Sequence, residues 1–477
     1  MSNNIDSLCY VVKDLNLENR SGRIDAHFFD PRYFEMVNNL VNMGRKTGLK
    51  LWKLNGLLMP SKTNLTGGAT PKGAVYLEEG IRFIRVQNVK ESKIKIENAV
   101  FIERRIHDRQ LRRSKLKPND IVMTITGSYG IASVVPEDIG EANINQHIVK
   151  IESNNELVDV HYLSHFLNSQ LCKTQIDRVA TGSTRLALSY PAIKSLLILL
   201  PENIELQKEI AKQIDEIYQK AYDKLKERDK LLSTVDDVII KKLDIKLPNE
   251  YSKTCFIEDV NGINRFDALS KSPYLHALRE SIKKIPHEKL VELVVFKEKE
   301  APAFNDYYRL VDLRNIEEKI GRVKVIEVDS LGSGKIKLHK GDICINCLNP
   351  EKAKTIYITQ ELDGCVGSTE FTPIEPLLDK INPAYLVVIL RSKIVVDQWK
   401  YQITGSTPSR ERIGDEELRE TLIPKPEKDI QKEIAESVLG IIDKVAYLEQ
   451  ESKREIEHAK HKFLEYLNQV STPSPDN

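Results

Sequence analysis

The chain has 477 residues, 41% of them hydrophobic and 30% charged, with a formal net charge of +1. That length suits two or three domains, and the balanced charge excludes a uniformly basic nucleic-acid coat while leaving room for local basic patches. The longest apolar run, around residues 196–200, is far too short to cross a bilayer, and the first residues carry no basic-then-apolar signal. Six cysteines without regular spacing fit a reduced, cytoplasmic protein with no membrane partner.

In chain order, Gly22-Arg23-Ile24-Asp25-Ala26-His27-Phe28 precedes Asp30-Pro31-Arg32-Tyr33 and a helical run to Leu40. Residues 50–200 show no sustained helical period. Short β-rich runs at 81–89, 94–102, 120–126, 132–135 and 144–151 alternate with Gly and Pro turns. A helix is expected over 160–177, before a Gly182-Ser183-Thr184 loop. Residues 1–200 therefore read as one mostly-β, α+β domain.

Residues 201–246 read as a long helix. Ile210, Ile214, Ile217, Ala221, Leu225, Leu232, Val235 and Ile239 form one apolar stripe on an otherwise charged surface between Pro201 and Leu243. At about 1.5 Å per residue this is a rod of roughly 65 Å. It is too charged for a membrane and needs a partner helix along its stripe.

The chain supplies that partner by repeating itself. Gln207-Lys208-Glu209-Ile210-Ala211 returns as Gln431-Lys432-Glu433-Ile434-Ala435, opening a second helix at 426–470. Asn264-Arg265-Phe266-Asp267-Ala268 repeats the start, followed by Pro273-Tyr274 and a helical run to Ile285. Between these landmarks Asp120-Ile121 pairs with Asp342-Ile343, Tyr162-Leu163 with Tyr385-Leu386, and Thr181-Gly182-Ser183-Thr184 with Thr404-Gly405-Ser406-Thr407. Residues 247–425 thus form a second domain of the same plan, and 471–477 a flexible tail. Framework kept and surface rewritten is the pattern of two recognition domains with different targets.

Thr66-Gly67-Gly68-Ala69-Thr70-Pro71 ahead of the 81–89 run is the most telling segment. As a strand, that run places Arg85 and Gln87 on one face and Arg82 and Asn88 on the other, with Lys90 just beyond. Arg and Asn/Gln are the side chains that read guanine and adenine edges, although a solvated edge strand has the same pattern. Thr126, Ser128 and Tyr129, then Asn145, Gln146 and His147, suit phosphate and base contacts, and turn chemistry alone also accounts for them. The repeated loops bring Ser183, Thr184 and Arg185 in the first copy and Ser406, Thr407 and Arg410 in the second. Further candidates in the second copy are Tyr308, Arg309, Asp312, Arg314, Asn346, Asn349, Lys352, Ser368 and Thr369.

Catalytic motifs fail on inspection. Cys344-Ile345-Asn346-Cys347 lacks the second pair a zinc site requires. Asn382-Pro383-Ala384-Tyr385 resembles the Asn-Pro-Pro-Tyr of amino-methyltransferases, yet its counterpart is Asp159-Val160-His161-Tyr162, which makes it a helix start. No Walker loop and no Gly-rich methyl-donor loop occurs. Catalysis by this chain is not expected.

Taken together, the paired Arg-Ile-Asp-Ala and Arg-Phe-Asp-Ala starts, Gly67-Gly68-Ala69-Thr70-Pro71, Phe83-Ile84-Arg85-Val86, the Gly-Ser-Thr loops and the two Gln-Lys-Glu-Ile-Ala helices resemble the specificity (S) subunits of Type I restriction–modification systems. The resemblance implies an α+β architecture of two pseudo-repeated, mostly-β target-recognition domains separated by two long antiparallel coiled-coil helices. It implies double-stranded DNA as ligand, read as a bipartite site, with methyltransferase (M) subunits docked on the helices and restriction/translocase (R) subunits as further partners. No cofactor is expected in this chain, and S-adenosylmethionine belongs to the partner methyltransferases. The second copy departs from the pattern: Ala301-Pro302-Ala303-Phe304 stands near where the Gly-Gly-x-Thr-Pro turn would fall. A Type IIB or other methylation-linked anti-phage system, and a DNA methyltransferase in its own right, are the alternatives.

If the two helices are the ruler between half-sites, one extra heptad in each keeps the stripe in phase and adds roughly 10 Å at about 1.5 Å per residue. That is on the order of three base pairs of DNA at about 3.4 Å each. Sequencing the methylated sites of such a variant should return the same half-sites with a longer spacer. An unchanged spacer, or altered half-sites, would show that the helices set no distance.

Overall fold

The structure, a computed structural model, describes residues 31–71, 73, 76–182, 186–249, 272–332, 334–405, 407 and 411–469. These fall into two compact units, one drawn from Met1–Lys224 with Gln450–Asn477, the other from Leu225–Glu449. The division cuts through both long helices. The repeated starts at 22–28 and 264–268 and the tail at 471–477 lie outside the described residues.

In the first unit, helix Pro31–Thr47 buries Met36 and Leu40 and leads into strand Lys50–Lys53, which pairs antiparallel with Leu197–Leu200. A four-stranded antiparallel sheet follows in the order Leu65–Gly67, Ile148–Ile151, Ile121–Thr124, Ala132–Val134. A second sheet has Ile81–Ile84 at its centre, antiparallel to Val100–Ile102 and parallel to Ala142–Ile144. Val89, Val122, Val135, Ile139, Ile144 and Ile148 fill the space between them. Such β-branched residues pack well on pleated surfaces, which is why these short runs became strands.

The helix expected over 160–177 is two helices, Val160–Asn168 and Gln170–Val179. Ser169 adopts an extended backbone (φ −70°, ψ 157°), and its hydroxyl accepts the Cys172 N–H to start the second helix. The first long helix begins at Ile204, because Asn203 Oδ1 accepts from the Glu205 and Leu206 N–H groups. Its buried stripe of Ile210, Ala211, Ile214, Tyr218, Ala221 and Tyr222 belongs to this unit. Tyr466 O–H bonds Gln213, and Lys224 reaches Glu451 and Glu455 at 3.5 and 3.2 Å. Rising numbers on one helix meet falling numbers on the other, so the pair is antiparallel. Phe463 closes the seam against Tyr162, with ring centroids 5.3 Å apart.

The second unit repeats the plan, with a fourth strand added to the sheet that holds the parallel pair. His287–Lys289 pairs with Leu422–Pro424, and one sheet runs Val294–Phe296, Phe371–Pro376, Ile343–Asn346, Ile356–Tyr357. The other runs Ile326–Val328, Tyr308–Val311, Val366–Ser368, Lys335–Lys337, again with its central pair parallel. Helices Pro383–Arg391 and Lys393–Lys400 are separated at Ser392. Here the first long helix ends at Ser233, and Val235–Lys242 forms a separate helix, where an unbroken run to Leu243 was expected. Ser233 and Thr234 turn their hydroxyls back onto the Lys230 and Leu231 carbonyls at 2.7 Å each, competing with the helical ladder. Arg228 meets Glu449 at 3.1 Å and Lys242 meets Glu433, so this half of the pairing is antiparallel too. The second long helix, Lys428–Gln469, is unbroken.

The repeat is held by matching buried polar groups. Gln207 accepts the Asp159 N–H at 2.8 Å and donates to Pro201 O at 2.7 Å. Gln431 accepts the Asn382 N–H at 2.9 Å and donates to Pro426 O at 2.8 Å. Tyr162 O–H donates to Leu199 O, and Tyr385 O–H to Pro424 O, both at 2.8 Å. Gln175 exchanges two bonds with the Leu197 backbone as Gln398 does with Leu422. Both helix-entry glutamines are essentially unexposed, so removing either side chain strands a buried N–H and a carbonyl. Gln207→Ala or Gln431→Ala should cost about 1–3 kcal/mol for each group left unpaired. Denaturant unfolding of each variant checks this, and wild-type stability in either would remove the glutamine from the frame.

Candidate nucleic-acid interface

In the first unit the parallel strands Ile81–Ile84 and Ala142–Ile144 end side by side, and Asn145 N–H donates to Ile84 O at 3.1 Å. Arg85 and Asn145 therefore emerge together. The Gly67-Gly68 turn lies against this edge: Gly68 N–H donates to Ile148 O at 3.1 Å, and a Cβ on Gly68 would collide with the Ile144 and Asn145 carbonyl oxygens. What approaches Gly68 closely is therefore the chain's own backbone. Ile125 N–H donates to His147 O at 2.9 Å, bringing up the 126–130 loop, and Ala187 bridges to both Thr126 and Thr181. Five separated stretches thus meet at one edge.

The side chains there are partly linked. Thr70 O–H donates to Gln146 Oε1, Gln146 Nε2 lies 3.1 Å from His147 Nε2, and His147 Nδ1 meets the Thr126 hydroxyl. Thr70, Gln87, Ser128 and Gln146 are exposed, while Arg85, Thr126 and His147 are half-buried. Tyr129 O–H donates to Asp177 at 3.1 Å, and burial pushes its pKa up. Asn145 is buried and caps the turn by accepting the His147 N–H at 3.2 Å.

The expected 81–89 strand ends at Ile84, and Val86–Asn88 is a 3₁₀ turn, so strand alternation does not sort these side chains. Asn88 is wholly buried: its Oδ1 accepts the Arg85 N–H at 2.9 Å and its Nδ2 donates to Lys95 O at 3.1 Å. Arg82 is spent on Ile139 O at 2.8 Å. Lys90 sits on a hairpin with Lys93–Ile94 whose tip packs on the long helices, through Tyr222 O–H to Glu91 O and Lys460 to Glu91 at 3.0 Å. Ser183, Thr184 and Arg185, like Ser406 and Arg410, lie outside the described residues.

The second unit builds the same edge with other side chains. Val311 pairs with Gly367, so Asp312 and Ser368 emerge together. Asp312 accepts from Arg314 Nε and Nη2 at 3.0 and 2.8 Å and from the Arg314 N–H at 2.8 Å. The guanidinium hydrogen bonds hold the Asp312 carboxyl down at about 2, so this pair persists through the neutral range. Ser368 accepts the Glu370 N–H at 3.2 Å, Lys299 Nζ donates to Thr369 O at 2.6 Å, and Arg412 forks onto Glu370 at 2.9 and 2.7 Å. Asn349 N–H donates to Glu411 O at 2.9 Å, and Thr407 is exposed. Asn346 is buried with its amide on the Leu348 backbone, and Arg309 Nη2 is bound to Glu361 O at 2.6 Å. Tyr308 accepts the Asn305 N–H at 2.9 Å, and Lys352 lies on a 3₁₀ turn, Pro350–Lys352, 3.9 Å from Glu318.

Sequence reasoning missed Tyr76, whose ring lies 5.5 Å from the Arg85 guanidinium, and the Lys299 and Glu370–Arg412 contacts. An aromatic nine residues ahead of an arginine carries no local signal for such a contact. Among the described residues no group of three His, Cys, Asp or Glu is placed to hold a metal ion, and no helix is long and apolar enough to cross a membrane. Gly68→Ala should force the turn off Ile144–Asn145 at about 1–3 kcal/mol, a typical penalty for overpacking. A thermal melt of the variant tests the close approach, which an unshifted melt would refute.

Residues 67–232 match the family model described as Type I restriction modification DNA specificity domain. The Type I restriction enzyme EcoBI specificity subunit of Escherichia coli is 27% identical over 162 residues, 34% of this chain and 34% of that protein. The HindI specificity subunit of Haemophilus influenzae is 24% identical over 146 residues, 30% of this chain and 32% of that protein. The chain thus spans about a third of the length of the curated relatives it matches. A solved Type I restriction–modification S subunit from M. genitalium aligns over 90% of this chain and 97% of that one at 13% identity, with a TM-score of 0.40. The resemblance read from the sequence is to the same kind of specificity subunit as these relatives, and the family model's match lies within residues 67–232.

Proposed function

We propose that the chain is the DNA-reading, non-catalytic specificity subunit of a Type I restriction–modification complex. Each unit reads one half of a bipartite site, and DNA methyltransferase subunits dock on the long helices and bring S-adenosylmethionine with them. Restriction/translocase subunits complete the assembly. The observation that carries this reading is the repeated edge, where two parallel strands end together in each unit and hold different polar side chains on one frame. Hydroxyls, amides and arginines at exposed turns suit phosphate positioning and base-edge readout.

On this reading Thr70, Arg85, Gln87, Thr126, Ser128, Gln146 and His147 face one half-site, and Asp312, Arg314, Ser368, Thr369 and Thr407 the other. A methyltransferase in its own right is disfavoured because Asn382 Oδ1 accepts from the Ala384 and Tyr385 N–H groups at 2.9 and 3.2 Å. That amide is a helix cap rather than a binder of a target amine.

Methylome sequencing of a host carrying the chain with its neighbouring subunits is the direct test. The expected result is one split motif, absent when this chain is deleted. A single continuous motif, or methylation that survives the deletion, would refute the proposal, and methyl transfer by the purified chain alone would favour the enzyme reading.

A further inference from the structure

The two edges match residue for residue. Arg85 follows strand Ile81–Ile84 and opens the 3₁₀ turn Val86–Asn88, while Asp312 follows Tyr308–Val311 and opens the turn Leu313–Asn315. Arg85 thus corresponds to Asp312, and Gln87 to Arg314. Each edge carries one arginine within these paired positions, placed two residues apart in register.

The two arginines are held by different devices. The Arg85 guanidinium lies 5.5 Å from the Tyr76 ring centroid, a cation–π distance, and its buried Nε makes no hydrogen bond to a described residue. Tyr76 is itself propped on Phe83 of the strand, with centroids 6.0 Å apart. Arg314 is instead gripped along its Nε and Nη2 side by Asp312, and its side chain is 86% exposed. The Nη1 group and the second Nη2 proton remain as an end-on fork. A ring against a guanidinium, or a carboxylate forked onto its Nε and Nη2 edge, fixes its plane and leaves donors for a ligand with two adjacent acceptors. The major-groove edge of guanine offers such a pair, N7 and O6.

We propose that Arg85 and Arg314 are matched guanine-reading side chains, one in each half-site, positioned by Tyr76 and Asp312 respectively. This rests on the functional reading above and adds which residues determine specificity and what base they take. Tyr76 and Asp312 are positioning residues: each acts through its arginine.

The test uses the chain assembled with its methyltransferase subunits, assayed for methyl transfer on DNA libraries randomised across the split site. Arg85→Lys and Tyr76→Leu should relax the same single guanine in one half-site, by roughly 5- to 150-fold in discrimination, the range of a lost bidentate contact. Tyr76→Phe keeps the ring and should keep the wild-type motif. Arg314→Lys and Asp312→Asn should relax one guanine in the other half-site only. Uniform weakening across all sequences in complexes with wild-type melting would make these phosphate contacts and overturn the proposal. So would relaxation at different positions by Tyr76→Leu and Arg85→Lys. A wild-type complex that reads a split site while every variant matches it overturns this inference alone; a wild-type complex with no split site overturns the functional reading as well.

Discussion

The structure depends on a buried amide at the foot of each long helix. Gln207 and Gln431 each reach from the helix entry to the backbone N–H that begins the inner helix of the adjoining globule, at Asp159 and Asn382. Each also closes the carbonyl of a proline just beyond the preceding strand, Pro201 or Pro426. A glutamine is the side chain for this task, because it offers a donor and an acceptor on one planar group. Lysine or glutamate would bury a charge, and leucine would leave both backbone groups unpaired. Direction and register of each helix against its own sheet follow from that one contact.

Because the frame is made of such groups, the duplication was visible in the sequence. The Gln that opens each long helix, the Tyr of each Tyr-Leu and the buried aspartates repeat because each satisfies a specific partner, and few substitutions can. The chemistry of the edge was harder to read. Asn88 and Asn346 have the composition of base readers, yet each is consumed by backbone groups that only the folded turn brings near. Arg82 is lost to Ile139, a carbonyl far away in the sequence. The break at Ser169 was hidden because Asn168-Ser169-Gln170 reads as an ordinary helical stretch, whereas serine's cap preference acts only once the chain turns there.

Conservation of frame with change of edge follows from where the contacts lie. The strands and inner helices place their side chains in cores of Val, Ile, Leu and aromatic residues, where volume changes are felt at once. The edge consists of turns whose backbone is already bonded, so its side chains can be exchanged without disturbing the sheet. Arg85-Gln87 in one unit and Asp312-Arg314 in the other are such an exchange on equivalent 3₁₀ turns. Tyr76 shows the cost of the arrangement: an arginine on a turn has little packing of its own and is supported by a ring that itself rests on Phe83.

The charge distribution is consistent with the proposed base-reading role and not with a uniform phosphate coat. Many of its cations are committed internally. Lys224 is held by Glu451 and Glu455, Arg228 by Glu449, Arg412 by Glu370, and Lys150 by Asp120 and Glu152. On the helices such pairs lie mostly half-exposed, where each contributes little stability and mainly selects the antiparallel register against alternatives. Each such pair also neutralises one cation on the rods. On the proposed reading, attraction to the nucleic-acid backbone is then left to the turns at the edges, the same places proposed to make the base contacts. Concentrating it there ties affinity to orientation, so binding in the wrong register gains little from charge alone.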